Sequence, residues 1–153
     1  MSTDDDVRLV RGFWSALYAR DWEAIAAHFG PDSVYWDVPV GPTASAKGPA
    51  DIVSRLKLGL DGLAGYEQHE GPIIAQNGHV ITEHREVWHW STGETASLPF
   101  VSVMTVADGV ITLWKDYWDY NTLMQAAPEA WHQRLADADL SWVYDASADG
   151  LAP

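Results

Sequence analysis

The sequence predicts an α+β domain in which helices come first and a curved sheet of consecutive hairpins follows. Three observations predict it. Apolar residues recur at three and four spacing over residues 5–29, which is the period of an amphipathic helix. From residue 66 the pattern changes to the two-residue alternation of half-buried strands. Gln76-Asn77-Gly78, Ser91-Thr92-Gly93 and Asp108-Gly109 then cut the alternating region at hairpin-turn sequences.

In order along the chain, Val7, Leu9, Val10, Phe13, Trp14, Leu17 and Tyr18 define the first helical face. Asp21-Trp22-Glu23 opens a second helical stretch, with Ile25, Ala26 and Phe29 apolar and Gly30-Pro31 as its stop. Residues 33–40 read as a strand ended by Gly41-Pro42. Gly48-Pro49 starts another helix, whose Ile52, Leu56 and Leu60 lie four apart. Strands are expected at 66–75, 79–90, 96–107 and 110–120, and a further helix at 121–136. Helices followed by a meander place the helices on one face of the sheet. The expected division is a single domain at 1–136 and an acidic tail at 137–153, partly docked or disordered. Trp131, Leu135, Leu140, Trp142 and Val143 suggest that part of this end of the chain docks, over the pocket mouth or onto a partner subunit.

Composition narrows the function. The 153 residues suffice for one domain with a core, and 47% of them are hydrophobic. No apolar run reaches the ~18 residues of a membrane helix. The acidic start, Met1 to Asp6, is unlike an export signal, so a cytoplasmic location is expected. Without cysteine there is no disulfide, thiolate metal site or Cys nucleophile. A formal charge of −13 disfavours nucleic acid and anionic membrane as partners. The nine Trp are the oddity: they fill a core or line an aromatic cavity.

Pleat parity selects the candidate site. In the strand at 79–90, Val80, Thr82, His84, Glu86, Trp88 and Trp90 share a face. In the last strand Val110, Thr112, Trp114, Asp116 and Trp118 do so, and in the first strand Tyr35 goes with Asp37. A solvated face would not carry these indoles, and a pure core face would not carry His84, Glu86 and Asp116. The mixture fits a ligand pocket, and equally a wet sheet edge or a structural pairing of acids. His79, His84 and His89 are five apart and cannot share a strand face, so no metal site is expected.

The order of elements resembles the NTF2-like fold, a cone of curved sheet wrapped by helices. Val34-Tyr35-Trp36-Asp37-Val38-Pro39 and Ile111-Thr112-Leu113-Trp114-Lys115-Asp116-Tyr117-Trp118-Asp119 resemble, within it, the limonene-1,2-epoxide hydrolases, over roughly residues 7–122. The resemblance implies one-step hydrolysis. It makes Asp116 the expected base on a water that Tyr35 and Asp37 help to hold, and Glu86, oriented by His84, the expected acid on the epoxide oxygen. Asp37 stands where that family has Asn, and His84-Arg85-Glu86 where it has Arg-x-Asp. Trp114, Trp88, Trp118, Trp36 and Phe100 are the expected substrate-binding residues. The substrate implied is small, neutral and hydrophobic, with no cofactor and no metal, and the resemblance implies a homodimer. Asp37-Val38-Pro39 also resembles the proton-shuttling strand of ketosteroid isomerases, whose oxyanion-hole residues fall here on Phe13 and Ser102. His69 lies where dehydratases of the superfamily keep a catalytic His, with Tyr18 in place of the partner Asp. Isomerase, dehydratase, cyclase and non-catalytic ligand binding therefore remain alternatives.

Overall fold

The computed structural model describes residues 2–151. Helix α1 (Thr3–Tyr18) is capped by Ser2, whose hydroxyl accepts from the Asp5 amide while the Asp5 carboxylate accepts from the Ser2 amide. Asp4, Asp5 and Asp6 fill the first turn, where the helix dipole favours negative charge. Its apolar stripe of Val10, Phe13, Trp14 and Leu17 is buried. A short α2 (Trp22–Ala26) follows, capped by Asp21.

Strand β1 spans Phe29–Asp37, so it begins four residues before the expected Ser33 and ends three before Val40. Phe29 pairs with Ile111, the register slips, and pairing resumes at Val34 with Leu113. Gly30-Pro31 therefore interrupts a strand instead of ending a helix, and the imino nitrogen of Pro31 falls in the irregular stretch. At the other end, the Val40 and Gly41 amides both donate to the Asp37 carbonyl, at 3.0 and 2.9 Å, and turn the chain out of the sheet.

Strand β2 (Ser45–Lys47) leads to α3 (Pro49–Leu60), which buries Ile52, Leu56 and Leu60. The meander is β3 (Gly65–Gln76), β4 (His79–His89), β5 (Thr95–Ala107) and β6 (Val110–Tyr117). Asn77 and Gly78 have φ of 52° and 76°, and Asp108 and Gly109 have 52° and 78°. Left-handed backbone at both central residues is the turn whose twist matches that of the flanking strands. The helix expected at 121–136 is two helices, α4 (Tyr120–Ala126) and α5 (Glu129–Ala136), because Pro128 cannot donate within a helix.

The seven strands form one curved, open sheet in the order β3-β4-β5-β6-β1-β2-β7, where β7 is Val143–Tyr144. Neighbours are antiparallel except β1 and β6, which run parallel. The main core lies between the helices and the inner sheet face, with Trp14, Trp114, Phe13 and Leu17 at its centre. A smaller cluster of Val34, Trp36 and Ala146 is separate from this core and packs with Val38, Leu113, Tyr144 and Leu151. Residues 142–146 dock: β7 pairs with β2, and the Ala146 amide donates to the Pro42 carbonyl at 3.0 Å. Among the described residues no helix is long and apolar enough to cross a membrane.

Candidate active site

A cavity of about 240 Å³ opens on the inner face of the sheet, walled by α3, α4, α5, by Glu86 and Trp88 of β4 and by Trp114 and Asp116 of β6. Alternation puts Glu86 with Trp88, Trp114 with Asp116, and Tyr35 with Asp37 on that wall. Phe100 and Trp118 complete the aromatic lining. Trp36 does not join them. It is one residue out of phase with Tyr35 and Asp37, so the pleat turns it to the separate cluster with Val34 and Ala146. Phe13 is a core residue, in edge contact with Trp114 at 4.8 Å. His69 is half exposed, pairs across the sheet with Arg85, and has its ring 3.8 Å from the Glu67 carboxylate.

Three carboxylates share one scheme: each accepts from an indole and from a hydroxyl. Asp37 Oδ1 accepts from Trp118 Nε1 at 2.8 Å and from Tyr35 at 2.9 Å. Glu86 Oε2 accepts from Trp88 Nε1 at 3.0 Å and from Tyr66 at 2.9 Å. Asp116 Oδ1 accepts from Trp114 Nε1 at 2.5 Å and from Ser102 at 2.6 Å. An indole can only donate, so it orients a carboxylate without competing for its proton. Asp116 Oδ2 has no hydrogen-bond partner among the described residues. It is the oxygen free to take a proton.

Burial dominates the electrostatics. It pushes Glu86 up to about 7, against the pull of its Trp88 and Tyr66 hydrogen bonds. Asp116 is raised well above the usual carboxylate range, first by burial and then by Asp37 beside it. The phenols of Tyr18, Tyr35 and Tyr66 are raised by burial and neighbouring carboxylates, which keeps them protonated donors. Burial draws His84 down to about 4, so it is neutral at pH 7.

The hydrogen bonds of His84 go to Tyr18 and Ser102, and none to Glu86 is seen among the described residues. The His84 Nδ1 lies 3.2 Å from the Tyr18 hydroxyl and its Nε2 lies 3.0 Å from Ser102 Oγ. Donor counting assigns the tautomer. Ser102 has one proton, which goes to Asp116, so Ser102 must accept from His84 Nε2–H, and Nδ1 accepts from Tyr18. The result is a directed chain, Tyr18 to His84 to Ser102 to Asp116, lying behind the cavity wall.

Arg55, Tyr66 and the linking role of Ser102 were not foreseen. Arg55 Nη2 meets Asp37 Oδ2 at 2.5 Å. Arg55 is three residues after Ile52 and precedes Leu56, so it is a charge on the buried stripe of an amphipathic helix, and that anomaly was readable. Tyr66 is the partner of Trp88 across the β3–β4 hairpin, and extending the parity argument to β3 would have found it.

Residues 10–114 match the SnoaL-like domain. The chain belongs to the SnoaL-like family. It is similar to the epoxide hydrolase EphG of Mycobacterium tuberculosis, with 30% identity over 118 residues, 72% of this chain and 70% of that one. A solved epoxide hydrolase of the limonene-epoxide-hydrolase-like type from M. tuberculosis matches with a TM-score of 0.68 and 27% identity, over 81% of this chain and 90% of that one. A protein described as a SnoaL-like polyketide cyclase from Shewanella denitrificans matches with a TM-score of 0.71 at 16% identity, over 79% and 95% of the two chains, a likeness of fold alone. The NTF2-like architecture expected from the sequence is thus the fold of this SnoaL-like chain. Its cavity extends past the matched span, since Asp116, Trp118, Met124, Trp131 and Leu135 all follow residue 114.

Proposed function

We propose that this SnoaL-like protein hydrolyses a small, neutral, hydrophobic epoxide by direct attack of water. Asp116 Oδ2 removes a proton from the water as its oxygen bonds to an epoxide carbon. The ring C–O bond breaks, and Glu86 delivers its proton to the leaving oxygen. A vicinal diol results, with Asp116 protonated and Glu86 ionised, and transfer of one proton back to Glu86 resets the site.

The observation that carries this reading is the pairing of two inward carboxyls with different surroundings in one aromatic cavity. Glu86, pushed up to about 7, retains a proton to give near neutral pH. Asp116, raised by burial and by Asp37, is a stronger base than an ordinary aspartate once ionised, and its Oδ2 is unengaged. The similarity to EphG supports the same class of reaction. The cavity of about 240 Å³ is lined mainly by aromatic and aliphatic side chains, which suits a compact hydrophobic substrate.

The test is a panel of monocyclic-terpene and styrene-type epoxides in ¹⁸O-water, with single-turnover product analysis. Diol labelled in the first turnover supports the reading. Unlabelled first-turnover diol, or conversion of an enone with no epoxide turnover, overturns it.

A further inference from the structure

Among the residues lining the cavity, Arg55 carries the one Lys or Arg side chain. Its guanidinium is held by little hydrogen bonding: Nη2 meets Asp37 Oδ2, while Nε is buried without a partner. Two ring faces hold it instead. Its Cζ lies 5.5 Å from the centroid of Tyr35 and 5.0 Å from that of Trp142. Trp142 comes from outside the matched family span and is buried. Strand β7 brings it there, for Tyr35, Ala46 and Val143 stand in one row across β1, β2 and β7. The Ala146–Pro42 hydrogen bond secures the strand on its far side.

We propose that Arg55 is a positioning residue for the acid/base centre and that the C-terminal strand is its latch, Trp142 closing over the guanidinium so that Asp37 is held as its ion-pair partner beside Asp116. This rests on the acid/base reading of the cavity. An Arg on an amphipathic helix reaches water unless something covers it, and a solvated guanidinium would lend little to a buried carboxylate. Trp142 is that cover. Burial works against the Arg55 charge, yet Asp37, with Tyr35 and Asp116, more than offsets this and keeps the guanidinium above its ordinary value. The ionisable groups that share the cavity with the pair are Tyr35 on β1, Asp116 on β6, Glu86 on β4, Tyr66 on β3 and Tyr120 on α4, with Tyr18 and His84 behind them.

The indoles provide a readout independent of turnover. Trp114, Trp118 and Trp88 each donate to one carboxylate, so their Nε1–H resonances in the ¹⁵N-labelled full-length protein report those groups as pH changes. Assignments come from single Trp→Phe variants, and D116N identifies the Trp114 transition. Removing a nearby positive charge raises a carboxylate midpoint, so R55M is expected to move the Trp114 midpoint up by ~1 pH unit. W142A is expected to move it the same way by less, with a changed Trp118 resonance, and W142F to restore both. If W142A does not fold, W142L keeps apolar bulk without the ring face and serves the same comparison. In turnover, the acidic limb of the kcat profile is expected to move with the midpoint.

A folded W142A or W142L with both indole signals unmoved overturns the latch. So does a W142F that behaves like W142A. Should no epoxide be turned over, the proposed reaction falls, while the indole titrations still decide whether Trp142 and Arg55 govern the carboxylates.

Discussion

Asp37 and Asp116 are Cα partners on the parallel strands β1 and β6, so two buried carboxylates stand side by side in the wall of a mostly apolar cavity. Two adjacent charges in such a place repel unless one is compensated. Arg55 compensates Asp37 from one side, and Asp116 faces that pair from the other with only neutral donors of its own, Ser102 and Trp114. The asymmetry separates the two acids: Asp37 is engaged at both oxygens, and Asp116 keeps Oδ2 open.

D116N should therefore remove turnover and spare the fold. The Asn carbonyl can still accept from Trp114 and Ser102, and loss of a charge beside Asp37 relieves repulsion. A base of this kind contributes ~10²–10⁴-fold to rate, and kcat should fall by that much. The thermal midpoint at pH 7 should not fall. Steady-state kinetics beside a circular-dichroism melt check both, and retained activity would remove Asp116 from its role.

The pH dependence of stability follows from Glu86. Its folded value of about 7 lies above the ordinary 4.5, so the folded state binds the proton more tightly between those values. That contribution is fully present below about pH 4.5 and is lost as pH rises through 7, a change on the order of 3 kcal/mol. E86Q, whose amide oxygen can still accept from Trp88 and Tyr66, has no such loss. Its melting temperature should match that of the parent at pH 4.5 and exceed it at pH 8, while hydrolysis disappears. His84 runs the other way: lowered from 6.5 to about 4, it favours the fold above pH 6.5 and destabilises it as pH falls toward 4.

Much of this was legible in the residues. The two Asx-Gly turns, the meander they create and the inward set of Tyr35, Asp37, Glu86 and Asp116 follow from backbone preference and a period of two, both local properties. Trp36 shows the limit of ignoring that period, because composition suggested a pocket indole where alternation forbids one. Trp142 was expected to dock, but its contact with Arg55 was not foreseen, since their meeting depends on α3 and β7 converging on β1 from 87 residues apart in sequence (142 less 55), which no local pattern encodes. The edge pairing of β7 with β2 is likewise long-range, and two-residue strands leave almost no sequence trace.

Residues of α4 and α5 close the cavity, so its size should be adjustable there without touching the acids. Met124 lines the cavity and is only partly buried. M124A should admit bulkier ring substituents, with KM for a larger epoxide falling several-fold and kcat for the smallest little changed. The stability cost should lie at or below the ~2 kcal/mol lower end for a buried Met→Ala change. A substrate-size series measured on both proteins decides this, and an unchanged size preference would place the substrate elsewhere.

Ser102 is where the two polar systems join, and its removal should affect each differently. Its hydroxyl donates to Asp116 at 2.6 Å and accepts from His84 at 3.0 Å, with no exposed surface. In S102A, Asp116 loses a charge-assisted donor, which raises its proton affinity further and moves the acidic limb of kcat to higher pH. His84 Nε2–H is left buried without an acceptor, at a cost of ~1–3 kcal/mol. S102T replaces the hydroxyl and should recover most of the pH profile, even if its extra methyl costs stability at a fully buried position. A profile in S102A that superimposes on the parent, with stability alone reduced, would mean that the Tyr18–His84–Ser102 chain supports the fold and takes no part in setting the proton affinity of Asp116.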